Sequence, residues 1–270
     1  MRLVLFTLTL ICLSAPFARG GPPFFTDDPE PVPVRHYEFY LFSTLDRALD
    51  GYGVAGPAFE FNVGAAPNLQ LHVVAPLQFA VPTDGTSSYG VGDVEFGAKY
   101  RFIEENGHRP QVGIFPMVEL PTGNGQRSLG NGQVWAKLPL WVQKSWGPWA
   151  SYGGGGYIVN HAPGMRNHPF LGWQLQRELN KKLTLGAEWF NPGRESLTSG
   201  DTHIFNVGGI YNFNQNFSLL FTAGHSIRGD SHTVAYLGLY WTWGHKGTDA
   251  QGESKPTSAM FSAGRRLLRY

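Results

Sequence analysis

Cysteine is nearly missing from this chain. The one copy, Cys12, lies in the apolar start, so the remainder has neither disulfides nor thiol chemistry available to it. Charge is scarce too, at 15% of 270 residues, with a formal net charge of +1. Without Met1 to Gly20, which carries Arg2 and Arg19, acidic residues exceed basic ones by one, a balance with no electrostatic footprint for nucleic acid. Beyond the N-terminus there is no run of about 20 apolar residues, which excludes a helical membrane protein. What the chain does have is 14% aromatics and 35 glycines, a profile suited to many short strands and turns.

Residues 1–20 combine a basic start at Arg2, an apolar core from Leu3 to Ala15 and a small-x-small site at Ala18-Arg19-Gly20, and read as a signal peptide. The apolar core is too short to span a membrane comfortably. Ile11 before Cys12 also excludes a lipidation site. Residues 21–35 are Pro-rich and unfit for a central strand, so an extended periplasmic or plugging segment is expected there. Residues 244–270 are polar and read as a mobile tail, with Arg265, Arg266 and Arg269 placed to touch an anionic surface.

Between these flanks, over 36–243, segments of about ten residues alternate polar with apolar, the dyad signature of a membrane barrel. In Val91 to Phe102, Asp93, Glu95, Lys99 and Arg101 take one face and Val94, Phe96, Ala98, Tyr100 and Phe102 the other. Strands are expected near 36–45, 54–64, 69–79, 90–102, 111–121, 131–143, 148–159, 169–179, 182–190, 202–213, 217–225 and 232–243. Links alternate between tight turns, as at 65–68 and 144–147, and long polar loops, as at 122–130 and 191–201. A soluble sandwich would not need that rhythm. Aromatics gather at strand ends, at Tyr100 and Phe102, Trp141 with Trp146 and Trp149, Tyr211 and Phe213, and Trp241 and Trp243, where an interfacial girdle belongs. The expected fold is therefore all-β: an antiparallel up-and-down transmembrane β-barrel of about twelve strands in the outer membrane.

Thr26-Asp-Asp-Pro29, Gly90-Val-Gly-Asp93 continuing to Gly97-Ala-Lys-Tyr-Arg-Phe102, Leu120-Pro-Thr-Gly123 and Trp141-Val-Gln-Lys-Ser-Trp-Gly147 resemble an outer-membrane family named after the meta-pathway of phenol degradation. The resemblance runs from about Phe24 to Trp243. It implies a barrel that transports hydrophobic or aromatic compounds. Tyr236 to Trp243 is also similar to the closing-strand signal read by the barrel assembly machinery, although that signal normally ends a chain and here a tail follows.

The inward face is expected to carry Glu38, Glu60, Asn62, Gln70, His72, Asp93, Glu95, Lys99, Arg101, Glu119, Gln133, Lys137, Gln143, Gln174, Gln176 and Glu188, lining a wet lumen and setting its selectivity. The alternative is a solid core of paired charges. Pro57 and Pro76 fall inside strands and predict a bulge or lateral opening in the wall. No spacing calls for a metal or cofactor: His203, His225 and His232 match no standard site, and the glycines at 153–156 lack the ending of a phosphate loop. A lipid hydrolase using Ser226 with these histidines is a remote alternative, since no acidic orienter is placed. The expected role is a channel for small hydrophobic or aromatic solutes with lipid as its surroundings, and its rival is a non-conducting structural or ligand-binding barrel.

Overall fold

The structure, a computed structural model, describes residues 22–49, 51–83 and 85–244. The expected signal peptide and, apart from Gly244, the expected tail lie outside the described residues. The strand segments are β1 (His36–Ala48), β2 (Gly51–Ala66), β3 (Leu69–Pro82), β4 (Ser88–Val91), β5 (Val94–Ile103), β6 (Gln111–Ile114), β7 (Met117–Leu120), β8 (Trp135–Trp146), β9 (Trp149–Asn160), β10 (His168–Asn180), β11 (Leu183–Gly193), β12 (Thr202–Asn212), β13 (Phe217–Arg228) and β14 (Thr233–Gly244). β4 with β5, and β6 with β7, each form one line of the wall. The result is a closed antiparallel barrel of 12 strands. Pairing of β1 with β14, from His36↔Gly244 to Arg47↔Thr233, closes it and leaves no unpaired edge.

Alternation along each strand decides what faces where. In β10, Phe170, Gly172, Gln174 and Gln176 are buried while Leu171 and Trp173 between them are exposed. Phe59, Leu71, Phe96, Leu138, Leu171, Val207 and Leu237 are likewise exposed around the outside. An apolar band on that scale requires hydrocarbon against it. At the terminal end, where the chain enters and leaves the barrel, outward aromatics form a contiguous girdle: Trp243 stacks on Tyr37 at 5.8 Å and Trp241 on Phe217 at 4.7 Å, with Phe213 5.0 Å further on.

Terminal-end links are 67–68, 104–110, 147–148, 181–182 and 213–216; those of the opposite, loop end are 49–50, 83–87, 121–134, 161–167, 194–201 and 229–232. The first loop-end link is shorter than the sequence suggests, because pairing between β1 and β2 continues to Ala48↔Gly51. Two expected strands are interrupted. The break between β4 and β5 frees Asp93 to hold a loop, and the break between β6 and β7 falls at Phe115 and Pro116, where proline has no N–H for the ladder. Phe115 N and Ala98 N still bond the carbonyls of Pro139 and Pro116 across it. Trp141 is a correction: it lies not in the girdle but wholly buried inside the barrel, in phase with Lys137 and Gln143 on β8.

Candidate functional site

The chain from Pro22 to Arg35 crosses the lumen, held at successive points by inward side chains of opposite walls. On one wall, Thr222 Oγ1 on β13 donates to Pro23 O at 2.8 Å, and the Glu188 carboxylate on β11 accepts from the backbone N–H of Phe25 (3.2 Å) and of Thr26. Asn206 Nδ2 braces the same carboxylate at 2.6 Å. Across the lumen, Lys99 Nζ on β5 pairs with Asp27 at 3.0 Å and Asp28 at 3.2 Å. Arg101 faces Glu30, and Gln70 Oε1 on β3 accepts from Val32 N at 2.9 Å. Close backbone approach is made possible by glycines on the inner wall: a methyl group at Gly113 would press on Pro29, one at Gly172 on Thr26, and one at Gly64 on Pro33. The Thr26-Asp-Asp-Pro29 and Gly97-Ala-Lys-Tyr-Arg motifs thus meet as the two halves of one seat.

The remaining inward polar groups are mostly tied to one another. Glu38 accepts from Tyr240 OH at 2.8 Å and Tyr40 OH at 3.1 Å. His72 bridges Asn62 at 2.7 Å and Glu95 at 3.0 Å, with Glu60 at 3.5 Å. Glu95 and Glu119 face each other across β5 and β7. Gln174 and Gln176 are inward and fully buried, their amide atoms without hydrogen-bond partners among the described residues. Gln133 is a correction. It is an exposed loop residue, because β8 begins only at Trp135 once Asn131 is held by Asp93 and by Asn160.

Sequence reasoning missed an apolar patch inside the lumen. Phe115, Met117, Trp141, Phe170 and Phe190 cluster on the inner wall with Ile158 against them. Phe25 of the crossing segment adds to it, 5.0 Å from Phe190. The signal was available in the phase of alternation: Phe170 falls on the face of Gln174 and Gln176.

At the loop end, Asp93 holds the link 121–134 by accepting from Gly123 N at 2.8 Å and Asn131 N at 2.5 Å, while Thr122 Oγ1 donates to Gly92 O at 2.8 Å. Here the Gly90-Val-Gly-Asp93 and Leu120-Pro-Thr-Gly123 motifs meet. Leu129 of this loop is buried against Gly90 and Gly92 inside the mouth. The register of β2 shifts between Ala55 and Ala58, around Pro57, opposite Pro76 on β3; Gly92 N bonds Pro76 O at 2.9 Å there. A cavity of about 490 Å³ lies near the loop ends of β10 and β11, lined by His168 and Phe170 from the inner face and Pro169, Leu171 and Asn191 from the outer. Ser226 Oγ accepts from the backbone N–H of His232, whose ring instead binds Asp46 at 2.9 Å, and His203 turns to Asp201. That hydrogen bond to Asp46 holds the His232 imidazole above its ordinary range.

A closed barrel with an apolar exterior and a lumen crossed by its own N-terminal segment has the build of an outer-membrane β-barrel. A family model described as "Putative MetA-pathway of phenol degradation" matches residues 40–248, and the chain belongs to that family. Among solved structures, the chain is similar to the COG4313 outer membrane channel from Pseudomonas putida F1, with 16% identity, a TM-score of 0.61 and coverage of 80% of this chain and 98% of that one. It is also similar to the KdgM porin in complex with disordered oligogalacturonate, with 12% identity, a TM-score of 0.53 and coverage of 77% and 99%. These likenesses concern the fold. No curated protein sequence matches.

Proposed function

We propose that this protein is an outer-membrane channel for passive passage of small hydrophobic or aromatic solutes, with the terminal end in the periplasm and residues 22–35 restricting the lumen. The observation that carries the reading is the pairing of an inner aromatic patch with a segment laid across it. A wide aqueous pore needs neither. Glu38, Glu60, His72, Asp93, Glu95, Lys99, Arg101, Glu119, Lys137, Gln174, Gln176 and Glu188 line the space left around the segment and act as its selectivity surface. Kinship with a family described by phenol degradation supports aromatic cargo, and the outer-membrane channel fold supports passage. The bulge at Pro57 and Pro76 is assigned as a lateral exit, through which an apolar solute leaves into lipid without crossing the polar lumen. Assembly through the barrel machinery and cleavage after Gly20 complete the reading.

The rival, a non-conducting binding barrel, draws on the same crossing segment, because its seat ties Glu188, Lys99 and Gln70 of opposite walls to residues 25–32. Planar-bilayer conductance and liposome uptake of toluene, phenol and arabinose decide between them, using the mature protein and a form lacking residues 21–33. A channel passes the aromatic solutes intact and gains arabinose uptake on trimming. Absence of any uptake by both forms, in vesicles where the protein migrates as a heat-modifiable barrel, would establish the rival.

A further inference from the structure

Lys137 stands out among the lumen cations. Lys99 has two carboxylates in contact, and Arg101 bonds Asn68 and Gln111 beside Glu30. Among the described residues, Lys137 has no carboxylate within ion-pair distance and no hydrogen-bond acceptor. Its ammonium instead lies over the Phe170 ring, 4.9 Å from the centroid. It is flanked on the inner wall by Met117 of β7 and Ile158 of β9, its register partners, so an unpaired donor is set directly in the aromatic patch. From Phe170 the rings continue to Phe190 at 6.2 Å and from there to Phe25 at 5.0 Å, and Phe25 keeps 43% of its surface exposed inside the barrel. Trp141, 6.0 Å from Phe170, has a buried Nε1 that also lacks an acceptor.

The buried Trp141 Nε1 is costly without an acceptor, and the half-buried Lys137 ammonium has only lumen water or a solute left to bond. The surroundings specify its charge. Lys99 and Lys137 share this part of the inner wall with Asp27, Asp28, Glu95 and Glu188, so the site as a whole carries no positive excess to attract an anion. A neutral oxygen suits it better.

We infer that Lys137 and the Phe170–Phe190–Phe25 row form a binding site for an uncharged aromatic compound bearing one oxygen acceptor, such as a phenol, an aryl ether or an aryl ketone. The ring lies on the aromatic row and the ammonium donates to the oxygen. The site refines the proposed channel function by naming its solute class and rests on that reading for its biological role, though not for its chemistry.

The test uses the full mature protein in detergent and three fluorinated probes of one shape, 4-fluorophenol, 4-fluorotoluene and 4-fluorobenzoate, with ¹⁹F shifts reporting weak binding. Wild-type protein should bind 4-fluorophenol more tightly than either other probe. Lys137→Met, which keeps the bulk and removes the donor, should weaken 4-fluorophenol about tenfold and leave 4-fluorotoluene unchanged, as expected for one lost hydrogen bond. Phe170→Leu, in a form that still shows heat-modifiable migration, should weaken both. Equal affinity of Lys137→Met and wild type for 4-fluorophenol overturns the site, as does tightest binding of 4-fluorobenzoate, which would mark an anion site. Parallel liposome uptake separates the two readings: probe binding that depends on Lys137 without any uptake removes the channel and keeps the site, while uptake that proceeds with no Lys137-dependent binding does the reverse.

Discussion

Glu188 is the point at which the crossing segment is most open to perturbation. Its carboxylate, 1% exposed on β11, accepts from two successive backbone N–H groups of the segment, those of Phe25 and Thr26. Hydrogen bonds to a charged group contribute about 1.5–3 kcal/mol each, and lumen water replaces part of that when the acceptor is removed. Glu188→Ala should therefore weaken seating by about 2–3 kcal/mol, taking the lower end of each contribution. At about 1.4 kcal/mol per tenfold change, the population with the segment displaced rises about 30- to 140-fold. The barrel wall should survive, because Glu188 makes its ladder contacts through the backbone and the pairs Gln174↔Glu188 and Glu188↔Asn206 remain. Single-channel recording is the assay: wild type should show a small, steady conductance and Glu188→Ala frequent excursions to the level of the protein lacking residues 21–33. If the trimmed protein conducts at a higher level while Glu188→Ala matches wild type in both level and open time, Glu188 does not hold the segment.

Three further outcomes follow from the same geometry. Phe96→Arg, placing a charge on the 50% exposed outer face, should cost about 2–4 kcal/mol near the bilayer midplane. Arg101→Glu on the inner face should instead change ion selectivity with little loss of stability, and equal effects on urea midpoints would reject the assigned faces. Replacing Pro57 and Pro76 with Val should restore ladder bonds at the β2–β3 bulge and slow toluene uptake while sparing small polar solutes; unchanged rates for both solute classes would remove the lateral exit. His232 predicts a pH dependence: its folded pKa is raised above 6.5 by Asp46, so its contribution is complete below 6.5 and is lost as pH rises through the folded value. Amide exchange at 229–232 should quicken on going from pH 6 to pH 9, and an Asp46→Asn protein with the same increment would show that the ion pair is not responsible.

Much of the wall was legible because a strand in a barrel has only two faces, and a period of two residues sorts them. The alternation of Glu95, Lys99 and Arg101 with Phe96, Ala98 and Tyr100 needs no knowledge of neighbouring strands. Interruptions were harder to foresee. Gly92 and Asp93 fit the alternation of their segment, and the break there exists because Asp93 is drawn to the amides of Gly123 and Asn131, some thirty positions or more along the chain. Gln133 was misplaced for the same reason, since the loop anchored by Asp93 takes up residues whose pattern alone reads as strand.

The sequence by itself determined the barrel, its closed antiparallel build and the apolar exterior, all consequences of local periodicity and turn chemistry. It also marked Thr26-Asp-Asp-Pro29 and Gly97-Ala-Lys-Tyr-Arg as special without saying why. Only the tertiary structure decided that these two motifs meet as Lys99 with Asp27 and Asp28, that residues 22–35 run through the lumen, and that Trp141 and Phe170 line the inner wall beside an unpaired Lys137. The physical reason is distance along the chain. Which inward side chains face one another across a barrel depends on closure and register, and these are fixed by pairings between strands far apart in sequence.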